Sequence, residues 1–220
     1  GYMKLIAERG TAQQFDPKVG ASGGCTATRI EKPVHDFIEN TITGLQQADR
    51  LGANVVQVDV ALTGDGRFVL YSDAALDCRT EGSGTVRQTA LDAIQQLDPG
   101  AGYSADGGKT FPLNGLQTSR IPALETALAS LPDTPILFKL ASRDPGDGAK
   151  LAAALKAAGR DVLKEGDGFY ADEAVLAPLR AAFPTVWAFS ATSAAECTSQ
   201  YRLIGWLTLV PDACKNGTLF

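Results

Sequence analysis

Short apolar segments with strand character alternate along this chain with segments of helix character, and that alternation narrows the available folds more than any other feature. Strands are predicted at Met3–Glu8, Val55–Val60, Phe68–Ser72, Ile136–Leu140, Gly168–Ala171, Val186–Ser190 and Trp206–Val210. Most are short and rich in Val, Ile, Leu and aromatic residues, as buried parallel strands are. Helical patterns lie between most of them. From Asn40 to Leu51 the stripe is Leu45, Ala48 and Leu51. Pro122 is expected at the first turn of a helix carrying Leu124, Leu128 and Leu131 on one face. Lys150–Ala158 is alanine-rich. Asp172 can cap a helix that runs to about Ala182 and is closed by Pro184. Repeated βα units of this kind predict a parallel α/β fold.

With 220 residues the chain is long enough for a single domain, 1–220, with a substantial core. Two glycine-rich stretches interrupt the pattern at about 11–36 and 99–120, and long loops of this kind are usually functional or mobile. Neither matches the spacing of a phosphate-binding glycine-rich motif with its lysine and serine. The net charge of −5 argues against a nucleic-acid partner, which calls for a basic face. No apolar run reaches the roughly 18 residues of a membrane span. The four cysteines, Cys25, Cys78, Cys197 and Cys214, form no Cys-x-x-Cys pair, and there is a single histidine, so a zinc site is not expected. Their even number and wide spacing suit two disulfides, with Cys25–Cys78 and Cys197–Cys214 the favoured pairing. Four buried free thiols are the alternative. Asn216-Gly217-Thr218 fits a glycosylation sequon.

Four separated motifs carry a more specific signal. Residues 5–10 read Leu-Ile-Ala-Glu-Arg-Gly, and residues 39–41 read Glu-Asn-Thr. Residues 52–66 read Gly-Ala-Asn-Val-Val-Gln-Val-Asp-Val-Ala-Leu-Thr-Gly-Asp-Gly, and residues 68–73 read Phe-Val-Leu-Tyr-Ser-Asp. In order and spacing they resemble the glycerophosphodiester phosphodiesterase family, whose pattern is His-Arg-Gly, Glu-Asn-Thr, Gly-Ala-x-x-x-Glu-x-Asp-Val-x-x-Thr-x-Asp-Gly and a strand ending in His-Asp. The framework is kept, but Glu8 stands at the first His, Gln57 at the Glu of Glu-x-Asp, and Ser72 at the second His.

The resemblance implies a TIM-type (β/α)8 barrel with its site at the C-terminal ends of the strands. Seven strand candidates leave such a barrel one short. The tail Asn216–Phe220, another segment or a partner chain is expected to complete it. The family chemistry is phosphodiester hydrolysis by two histidines, with calcium or magnesium held by carboxylates. Carried over residue by residue, Arg9 is a candidate anion contact or an ordinary ion pair. Glu39 is a candidate substrate contact or a helix N-terminal charge. Asp59 matches a metal ligand, and Gln57 offers only a neutral carbonyl at another. Glu8 could act as a base but would repel a phosphodiester, and Ser72 cannot donate a proton near pH 7. His35 aligns with neither catalytic histidine and is expected on the surface. On the fourth strand, where the family has Glu-x-Lys, residues 136–142 read Ile-Leu-Phe-Lys-Leu-Ala-Ser, and in either register the glutamate is absent. In one register Lys139 enters the former metal site and faces Asp59 and Glu8, giving charge balance without a metal.

The candidate site set is thus Glu8, Arg9, Ser72 and Lys139 for catalysis, Arg9, Glu39 and Lys139 for substrate, and Asp59 with Gln57 for metal. Two functions follow. One is a catalytically impaired phosphodiesterase-like domain, metal-free, that binds a small phosphodiester or other anion or serves as a structural module. The other is an active hydrolase with altered catalytic residues. Loss of a general acid or base alone removes about 10²–10⁴ in rate, which favours the first. The cysteines and the resemblance together point to an extracytoplasmic protein.

Overall fold

A computed structural model describes residues 5–15, 25–117, 120–204 and 214. They fall into two compact units, split between Pro132 and Asp133. In the first unit strand β1 (Ile6–Glu8) lies parallel to β2 (Val55–Leu62), with Glu8 opposite Gln57. Helix α1 (Ile42–Arg50) connects them. Thr41 caps α1 by accepting the Gly44 N–H at 3.2 Å, which satisfies one of the helix's unpaired donors. Leu45 and Ala48 of the expected stripe are buried, but Leu51 is the C-cap and is 72% exposed. The helix ends one residue before the stripe would have turned inward again.

Strand β3 (Phe68–Leu70) corrects the expected third parallel strand. It runs antiparallel to β2, with Leu62 opposite Phe68 and Val60 opposite Leu70. The cause is the turn at Thr63–Arg67, too short for the crossover that a parallel pair requires. Thr63 fixes this turn: its backbone N–H reaches the Arg67 carbonyl at 2.8 Å, and its hydroxyl donates to Asp65 at 2.6 Å. The hairpin covers an apolar cluster of Val69, Tyr71, Leu76, Val86, Ile121 and Ala123, to which α2 (Leu91–Ile94) adds Leu91 and Ile94. Helix α3 (Leu124–Ser130) begins at N-cap Ala123, so Pro122 lies outside the helix rather than in its first turn. Its carbonyl accepts from Leu70 N–H at 2.9 Å, and that pairing holds the segment extended.

The two glycine-rich insertions pack on one another. Ile30 N–H reaches the Ser104 carbonyl at 3.2 Å, and Ser104 N–H reaches the Ala27 carbonyl at 2.9 Å. Ala27, Ile30, Ile38, Tyr103 and Leu113 form a second apolar cluster there. Thr110 and Ser104 hydroxyls hold the Asp106 carboxyl well below the usual carboxylate range, which ties the 104–110 turn. The Cys25–Cys78 disulfide joins this cluster to the chain after β3.

The second unit is a three-stranded parallel sheet of β4 (Ile136–Lys139), β5 (Gly168–Tyr170) and β6 (Trp187–Phe189). Between these strands run α4 (Pro145–Ala157), α5 (Val162–Glu165) and α6 (Glu173–Ala182), and α7 (Ala191–Ile204) follows. Asp144 and Asp172 cap α4 and α6 through their side chains, the second as expected. Helix α4 starts five residues before the alanine-rich stretch because Asp144-Pro145 is itself a helix start, with Pro at a first-turn position. Gly148 lets α4 and α6 approach closely, since a Cβ there would fall 2.2 Å from the Val175 carbonyl oxygen. Helix α7 was not expected, and its weakly patterned sequence explains why. Cys197 on α7 is joined to Cys214, so both favoured cysteine pairings are present and the free-thiol alternative falls. The expected strand Trp206–Val210, the tail Asn216–Phe220 and the sequon lie outside the described residues. Among the described residues no helix is long and apolar enough to cross a membrane.

A buried ion pair anchors the second unit. Asp167 accepts from Arg160 through both carboxylate oxygens at 2.8 Å and from Ile136 N–H at 2.8 Å. Its side chain is fully buried, and burial pushes the carboxyl up against the pull of Arg160. Arg160→Met strands that carboxylate, so we expect a loss of about 3–5 kcal/mol, read as a lower urea midpoint at unchanged m-value.

Candidate active site

Of the motif residues of the first unit, Arg9, Asn40 and Asp59 meet at the end of β1 and the middle of β2. Chain geometry changes sharply after Glu8. Arg9 has φ 58° and Gly10 has φ 82°, a left-handed pair that turns the chain away from the strand. Gly10 is required for a second reason: a Cβ would sit 2.8 Å from the Gly44 carbonyl carbon on α1. The turn places the Arg9 guanidinium beside β2, with its Nε 2.7 Å from Asp59 Oδ2. The N–H does not point along that contact, and Nε has no aligned acceptor, so this is an ion pair rather than a directed hydrogen bond. Glu8 is 3.9 Å from Arg9 Nε, with a side chain 66% exposed.

Asn40 was absent from the candidate set, yet it organises this end of the site. Its Nδ2 donates to Asp59 Oδ2 at 3.0 Å, its Oδ1 accepts from Asp59 N–H at 2.9 Å, and its own N–H reaches the Arg9 carbonyl at 2.9 Å. Asn40 adopts φ 57°, a conformation that asparagine tolerates better than most residues. The signal was available as the Asn of Glu-Asn-Thr, directly before a helix cap. It was passed over because its work is geometric rather than chemical.

Arg79 was missed entirely, because no sequence motif marks it. Its side chain is 4% exposed, and every nitrogen has a partner. Nε donates to Asp73 at 2.8 Å, Nη1 pairs with Glu39 Oε1 and donates to Tyr103 at 3.0 Å, and Nη2 donates to Thr26 at 2.8 Å. Burial alone would lower the Arg79 pKa, but Tyr103, Glu39 and Asp73 together raise it above its ordinary value. Burial, then the charge of Glu39, pushes the Tyr103 phenol well up, so at neutral pH it stays a neutral hydroxyl.

Gln57 is buried with its Nε2 unpartnered, and Ser72 Oγ is likewise buried and unpartnered. Glu39 retains one unpartnered oxygen, Oε2. Lys139 belongs to the second unit, where its ammonium lies 5.5 Å from the centroid of the Tyr170 ring. His35 is half-buried rather than superficial: its Nδ1 lies 3.2 Å from both the Phe37 N–H nitrogen and Gln13 Nε2, and its ring packs on Phe37.

The sequence profile of the glycerophosphoryl diester phosphodiesterase family matches residues 24–163, more than half of the chain. The chain belongs to that family. Glycerophosphodiester phosphodiesterase of Caldanaerobacter subterraneus is 32% identical over 123 residues, covering 54% of this chain and 47% of that protein. Human glycerophosphodiester phosphodiesterase 1 is 33% identical over 95 residues, 43% of this chain and 27% of that protein. The matched region is therefore half or less of these relatives. Among solved structures, the glycerophosphoryl diester phosphodiesterase domain of a Mycobacterium tuberculosis protein superposes with a TM-score of 0.65 at 22% identity, covering 92% of this chain and 65% of that one. An Oleispira antarctica phosphodiesterase in complex with the product sn-glycerol-3-phosphate superposes with a TM-score of 0.63 at 23% identity, covering 92% and 71%. The fold is α/β of TIM type, as the motifs implied.

A family member calls for a divalent cation, and the side chains do not fit one. Asp59 is held by Arg9 and Asn40, while Glu39 and Asp73 are held by Arg79. Gln57 brings no charge. Among the described residues no group of three or more His, Cys, Asp or Glu could hold a metal ion.

The Asn40–Asp59 contact yields a signed prediction. Asn40→Asp places two carboxylates about 3 Å apart, which raises the folded pKa of one above its unfolded value. The variant is then destabilised at neutral pH and recovers as pH falls through the carboxylate range. Urea titrations at several pH values against the parent chain would show the gap closing on acidification.

Proposed function

We propose that this domain is a catalytically impaired member of its family that binds a small phosphodiester-type ligand in the first unit. The observation that carries the reading is the distribution of buried side-chain atoms without partners. Among the described residues these are Glu39 Oε2, Gln57 Nε2 and Ser72 Oγ, together with Arg9 Nε, whose 2.7 Å ion pair with Asp59 leaves its N–H without an aligned acceptor, and all four lie on family motifs. Buried polar atoms in native proteins are almost always satisfied, so atoms of this kind call for a ligand or ordered water. Arg9, Gln57 and Ser72 can donate to phosphodiester oxygens, and Glu39 Oε2 can accept from a glycerol hydroxyl. The product complex of the Oleispira relative is consistent with ligands of that class.

Hydrolysis is disfavoured on chemical grounds. The hydroxyl at position 72 can donate a hydrogen bond but is too weak an acid to protonate a leaving group near pH 7, and the carboxylate at position 8 would repel an anionic substrate. The role expected for Lys139 is not carried into this proposal, because its ammonium rests on Tyr170. The two disulfides support an oxidising, extracytoplasmic compartment.

Two measurements on one sample test the reading. Glycerophosphocholine incubated with the protein, with and without calcium or magnesium, should release no choline above the blank. Calorimetry with the same compound should show binding that weakens about tenfold in Gln57→Leu, the loss of one good hydrogen bond to a charged group. Turnover abolished by Glu8→Gln would overturn the proposal in favour of hydrolysis with Glu8 as base. Absence of binding would also overturn it.

A further inference from the structure

We propose that Arg79 supplies, from within the chain, the positive charge that this end of the fold needs, making the first unit independent of divalent cations. Glu39, Asp73 and Asp59 are three carboxylates on the motif segments, and the first two converge on one guanidinium. The Glu39 side chain is 2% exposed and that of Asp73 32%, so it is above all the buried Glu39 carboxylate that needs a cation beside it. Arg79 meets that need with fixed geometry. Its planar fork serves Asp73 from one edge and Glu39 with Tyr103 from another, and Nη2 is tied to Thr26.

The backbone holds this cation where it is needed. Cys78 precedes Arg79 and Cys25 precedes Thr26, so the disulfide and the Arg79–Thr26 hydrogen bond are adjacent rungs between the same two segments. A lysine could not reproduce four directed contacts, and a hydrated metal ion would have to displace all of them. This inference concerns charge compensation and stands whether or not the unit binds a phosphodiester.

The test is thermal unfolding of the full chain with calcium chloride, magnesium chloride or EDTA. The parent midpoint should be the same in all three. Arg79→Ala releases Glu39 and Asp73, so calcium should raise its midpoint by several degrees at about a hundred times the dissociation constant, and EDTA should reverse the rise. Arg79→Lys keeps the charge, tests the same point if the alanine variant fails to fold, and should show an intermediate calcium response. A calcium-dependent rise in the parent chain would overturn the proposal. So would calcium-insensitive unfolding of a folded Arg79→Ala variant. The ligand calorimetry above reads a different property, so failure of one does not imply failure of the other.

Discussion

A single buried guanidinium holds the first unit together. Arg79 draws Glu39 from the segment before α1, Asp73 from the end of the hairpin, Tyr103 from the second insertion and Thr26 from the first. These four residues are far apart in sequence, and their segments are tied further by the Cys25–Cys78 disulfide and the Ala27–Ser104 backbone hydrogen bond. Taking such a charge out of water is tolerable only with strong, well-aligned partners. The requirement runs both ways. The partners fix Arg79, and Arg79 fixes the two carboxylates and the packing of the insertions. The apolar cluster around Ile38, Tyr103 and Leu113 then closes over a polar centre with little freedom left.

Beside this network, Arg9, Asn40 and Asp59 form a smaller one with a different character. It joins the end of β1 to the middle of β2 through two residues at positive φ. Strained backbone of this sort persists where its surroundings over-determine it, and it clusters at functional sites. Here it aims a half-buried guanidinium and an exposed carboxylate from consecutive residues, Arg9 and Glu8, at the same end of the unit. The four buried polar atoms without an aligned hydrogen-bond partner also lie on the motif segments.

Much of this was legible in the sequence, and what was missed shares a cause. The strands Ile136–Lys139, Gly168–Tyr170 and Trp187–Phe189 and the cap at Asp172 follow local rules of pattern and capping, and were read correctly to within a residue or two. Both disulfides were anticipated from count and spacing. The direction of β3 was misread because an apolar run looks the same in a parallel or an antiparallel sheet. The short Thr63–Arg67 turn was the clue that should have decided it. Arg79 was invisible because its importance comes from partners 6 to 53 residues away. In the first unit Asp59 is held by Arg9 and Asn40, and in the second the Lys139 ammonium lies over the Tyr170 ring, contacts that no motif spelled out.

The Cys25–Cys78 bond has a consequence for the chain before it folds. It closes a ring across 53 residues that contains α1, β2 and β3. In the unfolded chain such a ring excludes most extended conformations, an entropic constraint worth about 4 kcal/mol in the loop-closure treatment. The motif segments at 39–41, 55–62 and 68–73 are all inside it. Oxidation therefore confines the search for their mutual arrangement to a small volume, and the order in which this bond and the hairpin form sets how readily the unit reaches its native pairing.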